Sequence, residues 1–380
     1  MRAPVKLLFV VNVDWYFLSH RTPFALAAKE AGMEVAVAAA DTGMGPEIRQ
    51  MGLEFIPLPW LEEKGTLRDE LRMVGNLTRL YREVRPDLVH HVTMRPVLYG
   101  SIAARRAGVK APVNLLAGLG YLYTLDTLNN QLIRLITEPL FRYGFSHPNH
   151  RLILQNGDDR QTVLERRLLP GSSITVIRGS GVDTERFRPA PQADEKARVS
   201  YFGRLLWSKG LHEFIDAAKI VGSQMPEVEF HLYGEPYPAN PLSVEPEAIE
   251  AWKELPNVRV HGKIEDVAPA MQHSSVICLP TMMREGVPMS LIEGAASGKP
   301  LLTTDLPGCR EIVVDGLNGY LVPAGDERLL AERILYLMSH PGVREEFGRQ
   351  SRKKAIEEFA VSLVVDQKLE VYRQLLGTLR

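Results

Sequence analysis

The sequence is poor in cysteine and in long apolar runs. Of its 380 residues only Cys278 and Cys309 are cysteines, so we exclude a fold held by a disulfide framework and expect a reducing compartment. No uncharged apolar run is long enough to span a bilayer. Residues 5–11 form the only early apolar segment, and Lys6 interrupts it, so we expect a strand there and no leader peptide. These absences predict a cytoplasmic protein that is not integral to a membrane.

Motifs that would indicate other chemistry are missing as well. A dinucleotide-binding domain would carry Gly-x-Gly-x-x-Gly after its first strand, but residues 12–21 read NVDWYFLSHR, which argues against a dehydrogenase. No Asp-x-Asp pair is present to hold a divalent metal. His90 and His91 are adjacent, so on a strand they would point to opposite faces, and no Cys or His partner has zinc-site spacing. We therefore predict no metal site.

The sequence instead contains a repeated alternation of strand and helix. A chain of this length exceeds what one hydrophobic core usually supports, so two domains are expected. A hydrophobic content of 45% and a charged content of 24% are ordinary for a globular protein. The alternation predicts parallel sheets covered by helices on both faces. In the first half, the predicted strands are residues 5–11, 35–39, 53–57, 88–90 and 113–116, and the predicted helices are 20–31, 67–84 and 97–107.

A Pro- and Ala-rich polar stretch at residues 188–194 interrupts the alternation and predicts a linker. Beyond it, strands are predicted at residues 198–202, 229–233, 258–261, 276–280 and 301–303. The expected division is an N-terminal domain over 1–188, a linker over 189–197, a C-terminal domain over 198–358, and a last helix over 359–380 that packs back on the first domain. Because open α/β sheets bind ligands outside the carboxyl ends of their strands, two such domains would form one cleft.

The segment from Arg284 to Glu293 carries the most functional information. Its carboxylates, Glu285 and Glu293, are separated by a Gly-Val-Pro turn and the start of an apolar helix. Pro288 suits the first helical position, so the helix is predicted to begin there, with Glu293 about a turn and a half into it. Backbone N–H groups of residues 286–290 would lie at the positive end of the helix dipole. The pattern predicts a site for a ligand that has both phosphates and sugar hydroxyls.

Basic residues follow the first strand of the second half. Gly203 allows a tight exit from the strand, and the guanidinium of Arg204 and the ammonium of Lys209 suit a diphosphate. Gly262 and Lys263 follow another strand, where the glycine either lets the backbone approach a ligand closely or simply forms a turn. Solvated surface cations are the alternative, but the shared position at strand ends of one sheet favours a nucleotide pocket.

These motifs, in this order, resemble the donor domain of retaining glycosyltransferases of family 4. The resemblance covers nearly the whole chain. It implies an α/β fold of the GT-B type, in which two doubly wound, Rossmann-like parallel-sheet domains face each other across a cleft. The elements that carry it are Gly203-Arg204-Leu205, Lys209-Gly210, Glu285-Gly286-Val287-Pro288, Glu293, Gly298-Lys299-Pro300, residues 315–323, and Gly181-Val182-Asp183 with Phe187.

The resemblance also implies a role for each motif residue. Arg204 and Lys209 would bind the diphosphate of a nucleotide-sugar donor and stabilise the leaving charge, and Glu285 would contact the donor sugar, so these three are the expected catalytic residues. Glu293 would accept hydrogen bonds from the ribose. Because cations and a helix dipole replace a metal in this family, no cofactor is expected, and the donor, a UDP-sugar, is a substrate. The full donor-binding set is Gly203, Arg204, Lys209, Gly262, Lys263, Glu285, Gly286, Val287, Pro288, Met289 and Glu293.

No protein nucleophile is expected. In such retaining enzymes the leaving phosphate oxygen takes the acceptor hydroxyl's proton on the same face of the sugar. A glycosidase-like carboxylate pair would need Glu293 to point at the sugar carbon, which its predicted helix position disfavours. Two other functions stay open. One is a nucleotide-sugar epimerase of the same fold, for which no further acid–base set is found, and the other is a non-catalytic nucleotide-sugar-binding subunit.

Three segments at strand ends of the first half are Asp14-Trp15 with Leu18-Ser19-His20-Arg21, Thr93 with Arg95-Pro96 and Tyr99-Gly100, and Gly118-Leu119-Gly120-Tyr121. Together they are similar to a bacterial subgroup of the family that extends saccharides carried on undecaprenyl diphosphate, often with N-acetylated hexosamines. The subgroup implies a hexosyltransferase of cell-surface polysaccharide or glycan biosynthesis. Many relatives carry a histidine after the strand at 113–116, where this chain offers only backbone at Ala117-Gly118-Leu119-Gly120, so no histidine is assigned to catalysis. The residues expected at the acceptor are Asp14, His20, Arg95, Gly118 and Tyr121.

Charge is distributed unevenly along the chain. Residues 1–190 hold 24 Lys and Arg against 19 Asp and Glu, and the remainder holds 21 against 27. A lipid-linked acceptor would explain this asymmetry, because basic amphipathic helices bind anionic leaflets, although ordinary solvated helix faces are the alternative. The expected partners are thus the UDP-sugar, the saccharide acceptor and the cytoplasmic face of the inner membrane, without nucleic acid. The candidate surface residues are Arg68, Arg72, Arg79 and Arg82 with Leu67, Leu71 and Leu80, and Arg134 and Arg142 with Leu135 and Phe141.

Overall fold

The protein folds into two compact units, each built around one parallel sheet. The computed structural model describes residues 3–59, 67–124, 126–190 and 197–377. Unit 1 comprises Met1–Ser180 and Ser362–Arg380, and unit 2 comprises Gly181–Val361. The predicted fold class, two doubly wound Rossmann-like sheets, is confirmed.

The sheet of unit 1 has seven strands in the order β3-β2-β1-β4-β5-β6-β7, and all its pairs are parallel. Its central strands are buried on both faces, which is why they read as nearly continuous apolar runs in the sequence. The last two strands were not predicted. The strands are β1 (Lys6–Val13), β2 (Glu34–Ala40), β3 (Glu54–Pro57), β4 (Leu88–Val92), β5 (Ala111–Leu116), β6 (Arg151–Leu154) and β7 (Ile174–Val176).

The helix expected over residues 20–31 corresponds to the helix Thr22–Glu30, and a helix that the sequence does not predict, Asp14–His20, precedes it. Pro23 lies in the first turn of the second helix, and because it has no N–H it cannot continue a helix from the preceding turn. The helices in the N-terminal segment of unit 1 are α1 (Asp14–His20), α2 (Thr22–Glu30), α3 (Gly45–Gln50), α4 (Leu67–Val84), α5 (Met94–Ala107), α6 (Tyr121–Thr124), α7 (Leu128–Phe145) and α8 (Gly157–Glu165).

The sheet of unit 2 has six strands in the order β10-β9-β8-β11-β12-β13, again all parallel. Its last strand is not among the predicted ones. The strands are β8 (Arg198–Phe202), β9 (Glu229–Tyr233), β10 (Val258–Gly262), β11 (Val276–Leu279), β12 (Leu301–Thr304) and β13 (Gly319–Val322). The helices are α9 (Leu211–Gln224), α10 (Pro246–Lys253), α11 (Ala268–Gln272), α12 (Met289–Ala296), α13 (Cys309–Ile312), α14 (Glu327–Ser339) and α15 (Pro341–Phe359).

The chain passes between the units at two neighbouring points. The Val182 N–H donates to the Phe359 carbonyl at 2.9 Å, and the Val361 N–H donates to the Val182 carbonyl at 2.9 Å. Residues 181–187 are therefore tied to the end of α15 and belong to unit 2, which begins at Gly181. Most of the linker predicted at 189–197 lies outside the described residues.

The last helix, α16 (Val361–Gly377), packs on unit 1. Its Tyr372 hydroxyl lies 2.6 Å from Nδ1 of His90 on β4. His91 points to the other face of the sheet, where its ring nitrogens meet the Tyr81 hydroxyl at 2.9 Å and the Asn114 amide oxygen at 2.8 Å. Burial lowers the pKa of His91 to about 4. The adjacent histidines thus serve two separate buried hydrogen-bond networks.

Among the described residues, no helix combines the length and hydropathy that a membrane crossing needs.

Candidate functional site

The two sequence motifs that predict the nucleotide pocket, around Arg204–Lys209 and Glu285, lie together at the topological switch point of the second sheet. Strands β8 and β11 are neighbours, but the chain first runs from β8 to β9 and β10 on one side before it returns. Ligands of open α/β sheets bind at the carboxyl ends of the strands where the order reverses in this way. Residues 203–210 follow β8 and residues 280–288 follow β11, so the topology alone places both segments at this edge.

Side chains from the two segments join there. The Lys209 ammonium donates to Oε1 of Glu285, and the Thr281 hydroxyl donates to the same oxygen at 3.1 Å. Thr281 is fully buried, and the side chains of Lys209 and Glu285 are only 21% and 19% exposed. An ion pair with so little exposure is oriented by its surroundings, so the Glu285 carboxylate is held in one position.

Backbone contacts fix the two segments against each other. The Met282 N–H donates to the Ser208 carbonyl at 2.9 Å. Gly210 has φ +75°, and a Cβ there would lie 1.7 Å from the Pro280 oxygen, so only glycine fits. The ion pair therefore rests on two closely packed stretches of main chain.

A third segment supports the turn that carries Glu285. The Glu285 N–H donates to the Pro307 carbonyl at 3.2 Å, and the Thr304 hydroxyl donates to the Thr281 carbonyl at 2.6 Å. Gly308 has φ +86°, and a Cβ there would lie 1.7 Å from the Gly286 oxygen. The end of β12 thus sets the position of the turn at 285–286.

Helix α12 begins one residue later than the sequence predicts. Pro288 has ψ 124° and lies outside the helix, and its carbonyl accepts the N–H groups of Leu291 and Ile292 at 3.2 Å each. Gly286, Val287 and Pro288 are buried, and Met289 is half-buried. The positive end of the helix dipole therefore lies directly after the Glu285 turn, as the anion-site prediction requires.

Glu293 lies in the second turn of α12 and is half-buried. Burial raises its pKa to about 7, and the charge of Arg186, which is itself paired with Asp266 at 2.9 Å, acts in the opposite direction. The raised pKa means that the ionised form of this carboxyl group is poorly stabilised. A ligand that donates hydrogen bonds to the carboxylate would stabilise that form.

Arg204 lies in the same segment as Lys209, and its side chain is exposed to solvent. Its guanidinium lies 5.2 Å from the centre of the Tyr237 ring and has no carboxylate partner in the part of the chain that the structure describes. Its carbonyl accepts the Tyr201 hydroxyl at 2.7 Å, which fixes the backbone after Gly203. The guanidinium is thus accessible to an anion, whereas the Lys209 ammonium is already shared with Glu285.

Gly262 and Lys263 lie at the end of β10, at the edge of the same sheet. Gly262 has φ +72° and faces open space, and its carbonyl accepts the Gly234 N–H at 2.8 Å. An aromatic row that the sequence analysis missed runs beside them: Phe202 stacks on Tyr233 at 4.7 Å, and Tyr233 stacks on His261 at 4.4 Å. The sequence signal for this row is that β8, β9 and β10, which are neighbours in the sheet, each have an aromatic or histidine residue near their carboxyl end.

In unit 1, the predicted acceptor residue Asp14 is buried and holds a loop. Its carboxylate accepts the N–H groups of Thr42 and Met44 at 2.8 and 2.9 Å and the Thr42 hydroxyl at 2.5 Å. Burial acts to raise its pKa, but these hydrogen bonds outweigh it, and the pKa is lowered. Asp14 therefore fixes the segment after β2 against the start of α1, and contact with an acceptor stays a prediction.

The other predicted acceptor residues also follow strands β1, β4 and β5, which are adjacent in the sheet. The ring of His20 stacks on Tyr16 at 4.4 Å, and Arg95 pairs with Glu70 at 2.9 Å. Gly118 has φ +126°, and Tyr121 begins α6, although its side chain lies outside the described part of the molecule.

Comparison with known families agrees with this geometry. A family model described as glycosyl transferases group 1 matches residues 196–340, and one described as glycosyl transferase 4-like matches residues 6–156. The chain belongs to these glycosyltransferases. Together the two models match both units and include Lys209, Glu285 and Glu293.

Individual relatives of this glycosyltransferase match over most of their length. The N,N'-diacetylbacillosaminyl-diphospho-undecaprenol alpha-1,3-N-acetylgalactosaminyltransferase of Campylobacter jejuni is 23% identical, over 94% of this chain and 97% of its own. The UDP-Gal:alpha-D-GlcNAc-diphosphoundecaprenol alpha-1,3-galactosyltransferase of Escherichia coli is 23% identical, over 83% and 82%. The structure of Anabaena Alr3699/HepE in complex with UDP-glucose has a TM-score of 0.76 at 18% identity, over 97% and 99%. The GT-B fold is thereby confirmed.

The contact between Gly308 and Gly286 yields a prediction about activity. Gly308→Ala must displace the Glu285 turn, so we expect the kcat/KM for a nucleotide sugar to fall by roughly 100-fold, the cost of a misplacement of about 1 Å. Gly316→Ala is the matched control, because it shares a positive φ of +72° but faces open space. The control should lose only about 1 kcal/mol of stability. Equal kcat/KM for the two variants would show that the turn is not set by this contact.

The raised pKa of Glu293 yields a prediction about stability. Between the ordinary value of 4.5 and the folded value of about 7, the folded state binds more protons than the unfolded chain, so the contribution of Glu293 to the free energy of unfolding falls as pH rises through this window. Glu293→Gln should therefore unfold at a higher urea concentration than the wild type at mildly alkaline pH. This advantage should shrink as the pH falls toward 4.5.

The control for this experiment is Glu357→Gln, at an exposed position on α15. It should follow the wild type at every pH. A Glu293→Gln variant whose urea midpoint differs from the wild type by the same amount at all pH values would contradict the assigned pKa.

Proposed function

We propose that this chain is a retaining hexosyltransferase that moves a sugar, an N-acetylated hexosamine, from a UDP-sugar to a saccharide carried on undecaprenyl diphosphate. The reaction belongs to cell-surface polysaccharide biosynthesis, and the enzyme works as a peripheral protein on the cytoplasmic face of the inner membrane. The names of the Campylobacter and Escherichia relatives support this acceptor class, and the name of the Escherichia relative also supports the UDP donor. The UDP-glucose bound to the Anabaena protein supports the donor class as well.

The observation that carries the proposal is the Lys209–Glu285–Thr281 cluster at the switch point of the second sheet. It joins a cation, which suits a phosphate, to a carboxylate, which suits sugar hydroxyls, within one hydrogen-bonded group. A nucleotide sugar presents these two chemistries side by side. Glu285 would accept hydrogen bonds from hydroxyls of the transferred sugar.

The diphosphate would be bound by the accessible guanidinium of Arg204, by Lys209 and by the N–H groups of Gly286, Val287, Met289 and Ser290 around the start of α12. Donors aimed at the position where charge develops stabilise a leaving diphosphate as a metal ion would. The proposal therefore needs no metal and no cofactor. The ribose would donate to Glu293, and the base would lie against Gly262 and Lys263.

The transfer step proceeds on one face of the sugar. The bond between the anomeric carbon and the phosphate oxygen breaks, the acceptor oxygen bonds to that carbon from the same side, and the acceptor proton passes to the departing phosphate oxygen. The bonds that Glu285 receives from Lys209 and Thr281 stabilise its carboxylate and make it a poor nucleophile. This arrangement supports a reaction without a covalent sugar–enzyme intermediate.

The acceptor would be bound at the carboxyl ends of the first sheet. His20, Arg95, Gly118 and Tyr121 follow three adjacent strands there, and Asp14 holds the neighbouring loop. A guanidinium such as that of Arg95 suits the diphosphate of a lipid-linked saccharide.

The test is turnover of a panel of UDP-sugars with a lipid-linked acceptor in the presence of EDTA. We expect turnover without metal and a product with the anomeric configuration of the donor. Lys209→Met should lower kcat by about 100-fold or more, because a donor to the leaving charge is lost. Glu285→Ala should also lose turnover but keep UDP binding.

The matched control is Lys219→Met, which removes a lysine that is also paired with a carboxylate, that of Asp216 at 2.8 Å on α9. Its turnover should equal that of the wild type. Inversion of the anomeric configuration, or unchanged turnover of Glu285→Ala, would refute the assigned mechanism.

A further inference from the structure

Helix α7 exposes an unusual amount of apolar surface. Leu128 is 79% exposed, Leu135 is 73%, Ile136 is 64% and Leu132 is 63%. Ile133, Leu140 and Tyr143 on the same helix are also exposed, so α7 holds half of the exposed large hydrophobic residues in the described part of the chain. Large apolar side chains that are exposed together on one helix indicate an interaction surface for a protein, a membrane or a ligand.

The spacing of these residues puts them on one face. Positions 128, 132, 135, 136, 140 and 143 recur every three or four residues, the spacing of neighbours along one helix face. The opposite face packs on the rest of unit 1, where Phe141 and Phe145 join a buried cluster that includes Leu152. Arg134 on this face donates to the Leu122 carbonyl at 3.1 Å and pairs with Asp126. Arg134 and Phe141, which the sequence analysis placed on the outer surface, are therefore buried, and the surface consists of other residues of α7.

Arginines border the apolar face near the C-terminal end of α7. Arg105 lies with its guanidinium 4.7 Å from the centre of the Tyr143 ring and is exposed. On α7 itself, Arg142 donates to the Arg167 carbonyl at 3.2 Å, and its side chain is 43% exposed. Glu138, which pairs with both Arg142 and Arg166, is only 14% exposed. The border is thus positive, and the carboxylate within it is already neutralised.

We propose that α7 docks on an anionic lipid bilayer and inserts this apolar face into the headgroup region. A helix that combines an apolar face with bordering arginines binds such a surface in two ways: its apolar side chains are buried among the lipids, and its arginines are attracted to the anionic headgroups. Tyr143 would lie at the level of the headgroups, where aromatic residues with a polar end are favoured. A parallel pair of α7 helices would instead bring the same arginines together, which like-charge repulsion opposes.

The docking surface would serve the transfer reaction directly. This consequence rests on the proposed function, because a diphosphate-linked saccharide anchored in a bilayer lies at the level where a docked unit 1 would meet it. Binding to vesicles does not depend on that function and can be measured alone.

The test uses the full chain and vesicles made of equal parts phosphatidylglycerol and phosphatidylcholine. In sedimentation with these vesicles, the double substitution Leu132→Ser with Ile136→Ser should weaken binding by about tenfold or more. The matched control is Leu317→Ser with Ile356→Ser, two positions of unit 2 that are 48% and 44% exposed. The control should bind like the wild type. Added salt, or the use of pure phosphatidylcholine vesicles, should weaken the binding of the wild type and of the control alike.

A single labelled cysteine gives a second readout. Because Cys278 and Cys309 are buried, an environment-sensitive dye would label the exposed thiol of Leu135→Cys selectively. Its emission should shift to the blue with anionic vesicles, whereas the same dye at Leu317→Cys should not respond. Turnover on a soluble, short-chain acceptor should be equal in the wild type and the double serine variant, while turnover on the lipid-linked acceptor in vesicles falls.

Unchanged vesicle binding by the double serine variant would overturn the proposal. So would a dimer of the wild type in solution that the same variant dissociates, because α7 would then bind a second copy. If vesicle binding depends on α7 but no sugar is transferred, docking stands and the proposed function fails.

Discussion

The contact between Lys209 and Glu285 is the interaction on which the rest of the candidate site depends. It joins two segments that follow neighbouring strands at the switch point of the second sheet. The buried Thr281 hydroxyl donates a hydrogen bond to the same carboxylate oxygen. With both side chains about four-fifths buried, loss of either partner would leave an unpaired charge in a poorly solvated place. The pair therefore constrains position and charge together, and a ligand there meets a carboxylate and an ammonium of fixed geometry.

Close approaches of the main chain keep that geometry rigid. Gly210 against the Pro280 carbonyl and Gly308 against the Gly286 carbonyl leave no space for a side chain, so the three segments after β8, β11 and β12 are in direct contact. A site built on such strand ends needs little reorganisation when its ligand arrives. The glycines thus contribute to binding without contacting the ligand.

Residues that follow strands could be predicted from the sequence, because a parallel sheet gathers its carboxyl ends at one edge. Lys209 and Glu285 were found in this way. Their direct pairing was not predicted, because strand order decides which ends are neighbours and local sequence does not encode it. The same limit applies to α7: the sequence suggests a surface with Leu135 and Phe141 beside arginines, but only packing shows that Phe141 is covered and Leu132 is exposed.

The central claim, that the donor binds at the Lys209–Glu285 cluster, is tested most directly by hydrogen–deuterium exchange of the wild-type chain with and without UDP in EDTA. Slower exchange of backbone amides in residues 203–210 and 285–293 is the predicted result, because these N–H groups would be covered by the diphosphate and ribose. Protection confined to unit 1, with exchange of these two segments unchanged, would contradict the account.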